Sequence, residues 1–258
     1  MQAFVTMENL SMRFRGVQAI AGFSGTLQKG GIYGLIGTNG AGKTTLINIL
    51  SGQLKPTGGQ ALLEGTRLTG LRPDRVARLG VGRTYQNLRL FGRMTCLENV
   101  LIGGQIDKGY NFAQALLGLP AYGRGERNMR DTAREMLQLV GLSGHENDRA
   151  DQLPYGGQRL LEIARTLASK PRLLLLDEPA AGMNPRESAD LMDTIRQLRE
   201  QFGLTILLIE HDMKVVMGLC QHIFVMAFGE TIFEGPPDEV SENPKVIEAY
   251  LGRAAKRA

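Results

Sequence analysis

The run IYGLIGTNGAGKTTLINIL, Ile32 to Leu50, limits the possible folds more than any other stretch of the chain. Its apolar start reads as a buried strand and the apolar spacing after Thr44 reads as a helix, with a glycine-rich turn between them. A strand that passes through so short a loop into a helix belongs in a sheet whose face that helix covers, which is the beginning of an α/β layer structure. The loop carries chemistry as well. Gly37-Thr38-Asn39-Gly40-Ala41-Gly42-Lys43-Thr44, followed by Thr45, fits the phosphate-loop pattern in full. The glycines let backbone N–H groups wrap phosphate oxygens. Lys43 is placed to pair with the β- and γ-phosphates, and the Thr44 hydroxyl is a ligand for Mg²⁺.

The rest of the chain supplies the other strands of such a sheet. A first segment of β-prone runs (AFVTMENLSMRF and IAGFSGTLQKGG) precedes the loop, and GGQALLEG follows its helix. From about Leu88 to Asp151 helical spacing dominates, as in Met129, Ala133, Met136, Leu137 and Val140. Beyond Gly156 strands and helices alternate: RLLLLD, a helix opened by Asn184, Pro185 and Glu187 and ended by Gly203, then LTILLIE, DMKVVMGLC, HIFVMAF and ETIFEG. Strands that are apolar throughout imply a largely parallel sheet covered on both faces. The expected division is an α/β nucleotide-binding core at 1–87 and 156–258 with a C-terminal extension, interrupted by a helical subdomain at 88–155.

Two acids end the strand LLLLDEP. Asp177 is placed to hold Mg²⁺, directly or through water, and Glu178 to polarise an attacking water as general base. His211 follows the strand TILLIE at the same sheet end, within reach of a γ-phosphate oxygen or the water. Gln86, after VGRTY, is a candidate for Mg²⁺ and the water. A second glycine-rich helix start, Leu153 to Gln158, has no lysine of its own. The amides of Gly156 and Gly157, at the positive end of a helix, make a second anion site.

The phosphate loop, Gln86, the Tyr155-Gly156-Gly157-Gln158 signature, the LLLLDEP strand and His211 together resemble the ATP-binding subunit of an ABC transporter, over nearly the whole chain. The resemblance implies that two cassettes pack head to tail, so that Tyr155, Gly156, Gly157 and Gln158 serve the ATP held by the partner's phosphate loop. The usual signature is Leu-Ser-Gly-Gly-Gln, and here Tyr155 stands in place of the serine, so that its ring displaces the hydroxyl that a serine offers a γ-phosphate oxygen, while the Gly156 and Gly157 amides remain. Phe14, which on its own reads as a core strand residue, sits where this family stacks an aromatic on adenine. The tyrosine-containing signature, EPAAGMNP, LLIEHDMKVVMGL, NPKVIEAYLG and RTYQNLRLFGRMTCLENV are similar to cassettes of branched-chain amino acid importers.

That resemblance implies MgATP hydrolysis driving import. It also implies a second cassette, identical or paralogous, membrane-spanning permease subunits, an indirect link to a substrate-binding protein, and a place on the inner face of the cell membrane. The competing readings are an exporter ATPase of the lipopolysaccharide-extracting type, a soluble ABC ATPase acting on DNA or ribosomes, and a P-loop kinase. A single cassette, without sustained heptads between Lys43 and Gly156, argues against the soluble types. A kinase has no need of the helix start at 153–158.

Composition fits this reading. The chain has 258 residues, 43% of them hydrophobic, enough for a sizeable core. Its apolar runs are far short of a membrane helix, and the first residues lack the pattern of a secretory signal. The net charge of +4 is dispersed, so nothing points to nucleic acid. Cys96 and Cys220 have neither metal-ligand nor redox spacing and read as reduced thiols.

Overall fold

The computed structural model describes residues 3–107, 114, 116, 117 and 120–251, so part of the expected helical subdomain, between 108 and 119, lies outside the described residues. Two sheets organise the chain. The N-terminal one is antiparallel, in the order β2-β1-β4-β5, and consists of β1 (Ala3–Phe14), β2 (Val17–Gln28), β4 (Gly58–Leu63) and β5 (Thr66–Arg67). The larger sheet runs β10-β9-β3-β8-β7-β6, from β3 (Ile32–Gly37), β6 (Val81–Arg83), β7 (Leu173–Asp177), β8 (Thr205–Ile209), β9 (His222–Ala227) and β10 (Glu230–Gly235). The five strands from β9 to β6 are parallel, and only β10 is antiparallel, to β9.

The strands are apolar throughout because both of their faces are covered. Along β7, Leu174 and Leu176 enter one core while Leu173 and Leu175 enter the other, and along β8 Ile206 and Leu208 alternate in the same way with Leu207 and Ile209. Successive strand side chains point to opposite faces, so a single run of leucines fills two layers. Burying each such side chain stabilises the fold by roughly 1.5–3 kcal/mol. On one face lie α5 (Tyr155–Leu167), α6 (Pro185–Phe202) and α7 (Met213–Leu219), and on the other α1 (Lys43–Leu50) and the antiparallel sheet.

The helical layer holds α3 (Cys96–Gly104) and α4 (Pro120–Leu139), and α5 packs against both of them. Met129, Ala133, Met136 and Leu137, the spacing read from the sequence, form the buried side of α4. Helix starts follow local chemistry. Asn184 caps α6 by accepting from the amides of Arg186 and Glu187 while Glu187 accepts from the Asn184 amide, and Thr95 and Glu98 make the same reciprocal box at α3. The remaining helices are α2 (Pro73–Arg78), α8 (Pro237–Glu242) and α9 (Pro244–Leu251). Among the described residues no helix is long and apolar enough to cross a membrane. Cys96 and Cys220 are buried free thiols, held by burial at about 11 and about 12.

Candidate active site

Register in the large sheet assembles the site. β3 pairs on one side with β8 and on the other with β9, and Asp177 at the end of β7 lies level with Ile209 at the end of β8. The loop after β3 and the turns after β7 and β8 therefore leave the sheet at one edge, where open α/β sheets bind ligands. There they line a cleft of about 560 Å³ formed by Asn39, Gly40, Lys43, Thr44, Gln86, Glu178 and His211.

Backbone shape makes the loop. Gly37 and Gly42 have φ of 148° and 101°, and a Cβ at either would run into a carbonyl oxygen, of Met226 or Ala19 respectively. Only glycine fits at these two points. Lys43, buried at the first position of α1, donates from Nζ to the carbonyls of Gly37 at 2.8 Å and Thr38 at 3.1 Å. Its ammonium is thus held against the phosphate loop, at a helix N-terminus that favours anions. Ala41, within the loop, is buried, and Thr44 and Thr45 lie in the first turn of α1.

Glu178 is gripped on both carboxylate oxygens. Gln86 Nε2 donates to Oε2 at 2.8 Å, and His211 Nε2 lies 2.8 Å from Oε1. The residue holds φ 51°, a left-handed conformation that costs a non-glycine residue of the order of 1–3 kcal/mol and persists where the surroundings dictate it. Its amide donates to the Ile209 carbonyl at 2.9 Å, which ties the turn to β8. A carboxylate aimed into the cleft by two polar side chains can accept a proton from a water there.

Asp177 is placed differently from its neighbour. Its carboxylate is buried and faces Arg83 Nη2 at 3.2 Å rather than lining the cleft. Burial pushes its pKa up and Arg83 opposes this, while burial lowers that of Arg83 and Asp177 opposes it. Arg83 also donates to Asn48 Oδ1 on α1 at 2.6 Å and to Oγ of Ser51, which caps that helix, at 2.9 Å. One guanidinium thus joins the acid strand to the helix of the phosphate loop.

The signature opens α5 as expected, but Pro154 occupies the cap, the position where a serine hydroxyl serves a helix start. Tyr155 is the first helical residue, and the earliest main-chain bond in α5 is from the Gln158 amide to the Pro154 carbonyl, leaving the amides of Tyr155, Gly156 and Gly157 without an intrahelical acceptor. The Tyr155 hydroxyl accepts from Arg159 Nη2 at 2.9 Å. The Gln158 side chain turns back to the Leu153 carbonyl at 2.9 Å. Phe14, at the end of β1, is 43% exposed, so it is a surface aromatic and not the core residue its strand position alone suggested.

Three residues of this site lack an obvious sequence signal: Arg83, Arg159 and Glu210. Arg159 is buried on α5 and reaches the main chain around Gln86. Glu210 is buried, accepts from the amides of Ala180 at 2.7 Å and His211 at 3.0 Å, and is pushed up in pKa by burial against those amides. A single cue was available for each, a charged residue in or beside a buried strand or on a helix's apolar side.

A phosphate loop at the end of a central strand, facing a carboxylate at the end of the neighbouring one but one, defines a P-loop nucleoside triphosphatase. Comparison with known proteins narrows the class: the family described as ABC transporter matches residues 20–181, and the family described as branched-chain amino acid ATP-binding cassette transporter matches residues 230–256. The chain belongs to the ABC transporter family and is one of its ATP-binding, ATP-hydrolysing subunits. It is 45% identical to the high-affinity branched-chain amino acid transport ATP-binding protein BraF of Pseudomonas aeruginosa, covering 96% of this chain and 97% of that one. It is 44% identical to the corresponding protein LivG of Escherichia coli K12, covering 98% and 99%. A crystal structure of the ADP conformation of MJ1267, an ATP-binding cassette of an ABC transporter, superposes with a TM-score of 0.86 at 32% identity, covering 98% of this chain and 100% of that one.

Proposed function

We propose that the chain is the ATPase subunit of an importer of branched-chain amino acids. The observation that carries the chemistry is the cleft in which Lys43 and Thr44 face Gln86, Glu178 and His211. The cargo is supported by the names of the relatives, which match over nearly the full length of both chains, and by the family that matches at 230–256.

In this reading the amides of 37–44 and the Lys43 ammonium bind the β- and γ-phosphates of ATP. Glu178 takes a proton from the attacking water, and His211 and Gln86 hold that carboxylate and the water in place. The donors near the loop, the Thr44 hydroxyl, the Gln86 amide oxygen and Asp177 behind it, are the hard oxygens that suit Mg²⁺, and no cluster of three or more His, Cys, Asp or Glu side chains fit for a metal exists among the described residues. Bound Mg²⁺ supplies charge neutralisation at the phosphate oxygens. Phe14, exposed at the end of β1, offers an aromatic face for adenine.

A second cassette completes the site. The unsatisfied amides at the start of α5 suit the γ-phosphate held by the partner's loop, so ATP favours the closed pair and hydrolysis releases it. The subunit acts on the inner face of the membrane, against permease subunits gripped by the helical region at 88–155, with the α/β core at 1–87 and 156–258 doing the chemistry. A substrate-binding protein acts through those permeases.

The test is to recover the Glu178→Gln variant from detergent-solubilised native membranes. Membrane-spanning subunits and a cassette partner should come with it. The wild-type complex should hydrolyse ATP faster when a branched-chain amino acid-binding protein is added with its ligand. Recovery with ribosomes, DNA or no membrane protein would overturn the proposal.

A further inference from the structure

The signature helix does more than present amides. Arg159, 2% exposed, lies one turn into α5 and donates from Nη1 to the Tyr85 carbonyl at 2.7 Å and from Nη2 to the Gln86 carbonyl. The same Nη2 donates to the Tyr155 hydroxyl at 2.9 Å. Glu162, one turn further on, steadies this arrangement: it lies 3.5 Å from Arg159 Nη1 and accepts from the Arg89 amide at 3.4 Å. Gln86 in turn holds Glu178 through its side chain. The Tyr155 ring also rests against the turn that follows Glu178, since a Cβ on Gly182 would lie 3.2 Å from its Cε1.

Two connections therefore run from the first residue of α5 to the base of this cassette's own site, one through Arg159 and Gln86 and one through the backbone of Gly182. A phenol is what the position requires. Its ring reaches Gly182 while its hydroxyl reaches the guanidinium, and a serine could do neither at that distance.

We propose that Tyr155 and Arg159 form a positioning pair that sets Gln86, and through it Glu178, according to the position of the start of α5. Neither side chain of the pair lines the cleft that holds Lys43, Glu178 and His211. It rests on the reading above in one respect, that the start of α5 meets the ATP of the partner cassette; if so, the pair links that nucleotide to hydrolysis in the other site. The physical requirement is a contiguous set of contacts whose geometry shifts together, and buried charge-assisted hydrogen bonds to main-chain carbonyls provide it.

The experiment is a double-mutant cycle on the purified full-length chain, with ATP hydrolysis measured for Tyr155→Phe, Gln86→Ala and the double variant. Tyr155→Phe keeps the ring and loses the bond to Arg159, so it should fold with an unchanged melting temperature, lower kcat by roughly tenfold and move KM for ATP by less than about twofold. In the Gln86→Ala background it should have no further effect, because its route is gone. A merely structural tyrosine would give additive losses or none, and either result overturns the proposal. A direct ATP contact would raise KM with kcat unchanged, which also overturns it. A parallel measurement separates this from the reading beneath it. Glu178→Gln should dimerise with ATP, and Tyr155→Phe/Glu178→Gln should do so at the same ATP concentration. Failure of Glu178→Gln itself to dimerise refutes the shared-nucleotide reading, while the cycle still decides whether Tyr155 acts through Gln86.

Discussion

Gln86 donates to Glu178 at 2.8 Å across 92 residues of sequence, so the loop after β6 and the turn after β7 share one carboxylate. If Glu178 is the base, Glu178→Gln should lower kcat by roughly 10²–10⁴-fold, the usual worth of a positioned acid or base. Gln86→Ala, which removes one of the two side chains that hold the carboxylate, should cost about tenfold to a hundredfold. Steady-state hydrolysis by both variants checks this order, and a Gln86→Ala loss larger than that of Glu178→Gln would reverse the assignment.

The Arg83–Asp177 pair predicts a stability effect separable from catalysis. Both side chains are buried, so Arg83→Met leaves an uncompensated carboxylate and should destabilise the fold by roughly 3–5 kcal/mol. Arg83→Met combined with Asp177→Asn should recover part of that loss. Urea unfolding of the two variants measures it, and equal stability of single and double variants would show that the pair is not coupled.

The loop glycines should not be equivalent. Alanine at Gly37 or Gly42 meets a carbonyl oxygen, whereas alanine at Gly40, with φ 79°, has nothing within 4 Å. Gly40→Ala should therefore cost only the left-handed backbone term, roughly 1–2 kcal/mol, and keep measurable ATP binding. Gly37→Ala and Gly42→Ala should abolish binding. Titration with a fluorescent ATP analogue ranks the three.

Glu210 predicts a pH dependence. Burial raises its pKa, so between the ordinary carboxylate value and the raised one the folded chain holds a proton that the unfolded chain has lost. Its contribution to stability therefore falls as pH rises through that window. Glu210→Gln cannot ionise, and its stability relative to wild type should climb over the same window and level off above it. Denaturant unfolding from about pH 4 to pH 8 reads this, and a difference that does not change with pH would refute it.

What could be read before folding was whatever depends on neighbours in sequence. The phosphate loop, the reciprocal caps at Asn184 and Glu187, the helical side of Met129 to Leu137 and the two-faced leucine strands are all local patterns. The adjacency of Gln86, Glu178 and His211 was anticipated from strand ends, since register brings strand ends together. The partners of Arg83, Arg159 and Glu210 were not legible, because a buried charge declares that it needs a partner without saying which of several distant carbonyls or acids supplies it. Phe14 is the converse: its strand position reads as core, and only its place at the turn from β1 into β2 shows it to be exposed.

The position of β3 between β8 and β9 has a mechanical consequence. The strand that carries the phosphate loop is held by main-chain hydrogen bonds on both edges and by packed side chains on both faces, so it is firmly fixed in the sheet. A device that turns a chemical step into displacement needs a fixed anvil as well as a moving arm. Here the anvil is the sheet centre that holds Lys43, and compliance belongs to the loop of Gln86 and the start of α5, which reach the site through side chains. Amide hydrogen exchange should find the slowest protons along β3 and β8, and the first to respond to nucleotide around Tyr85 and Tyr155.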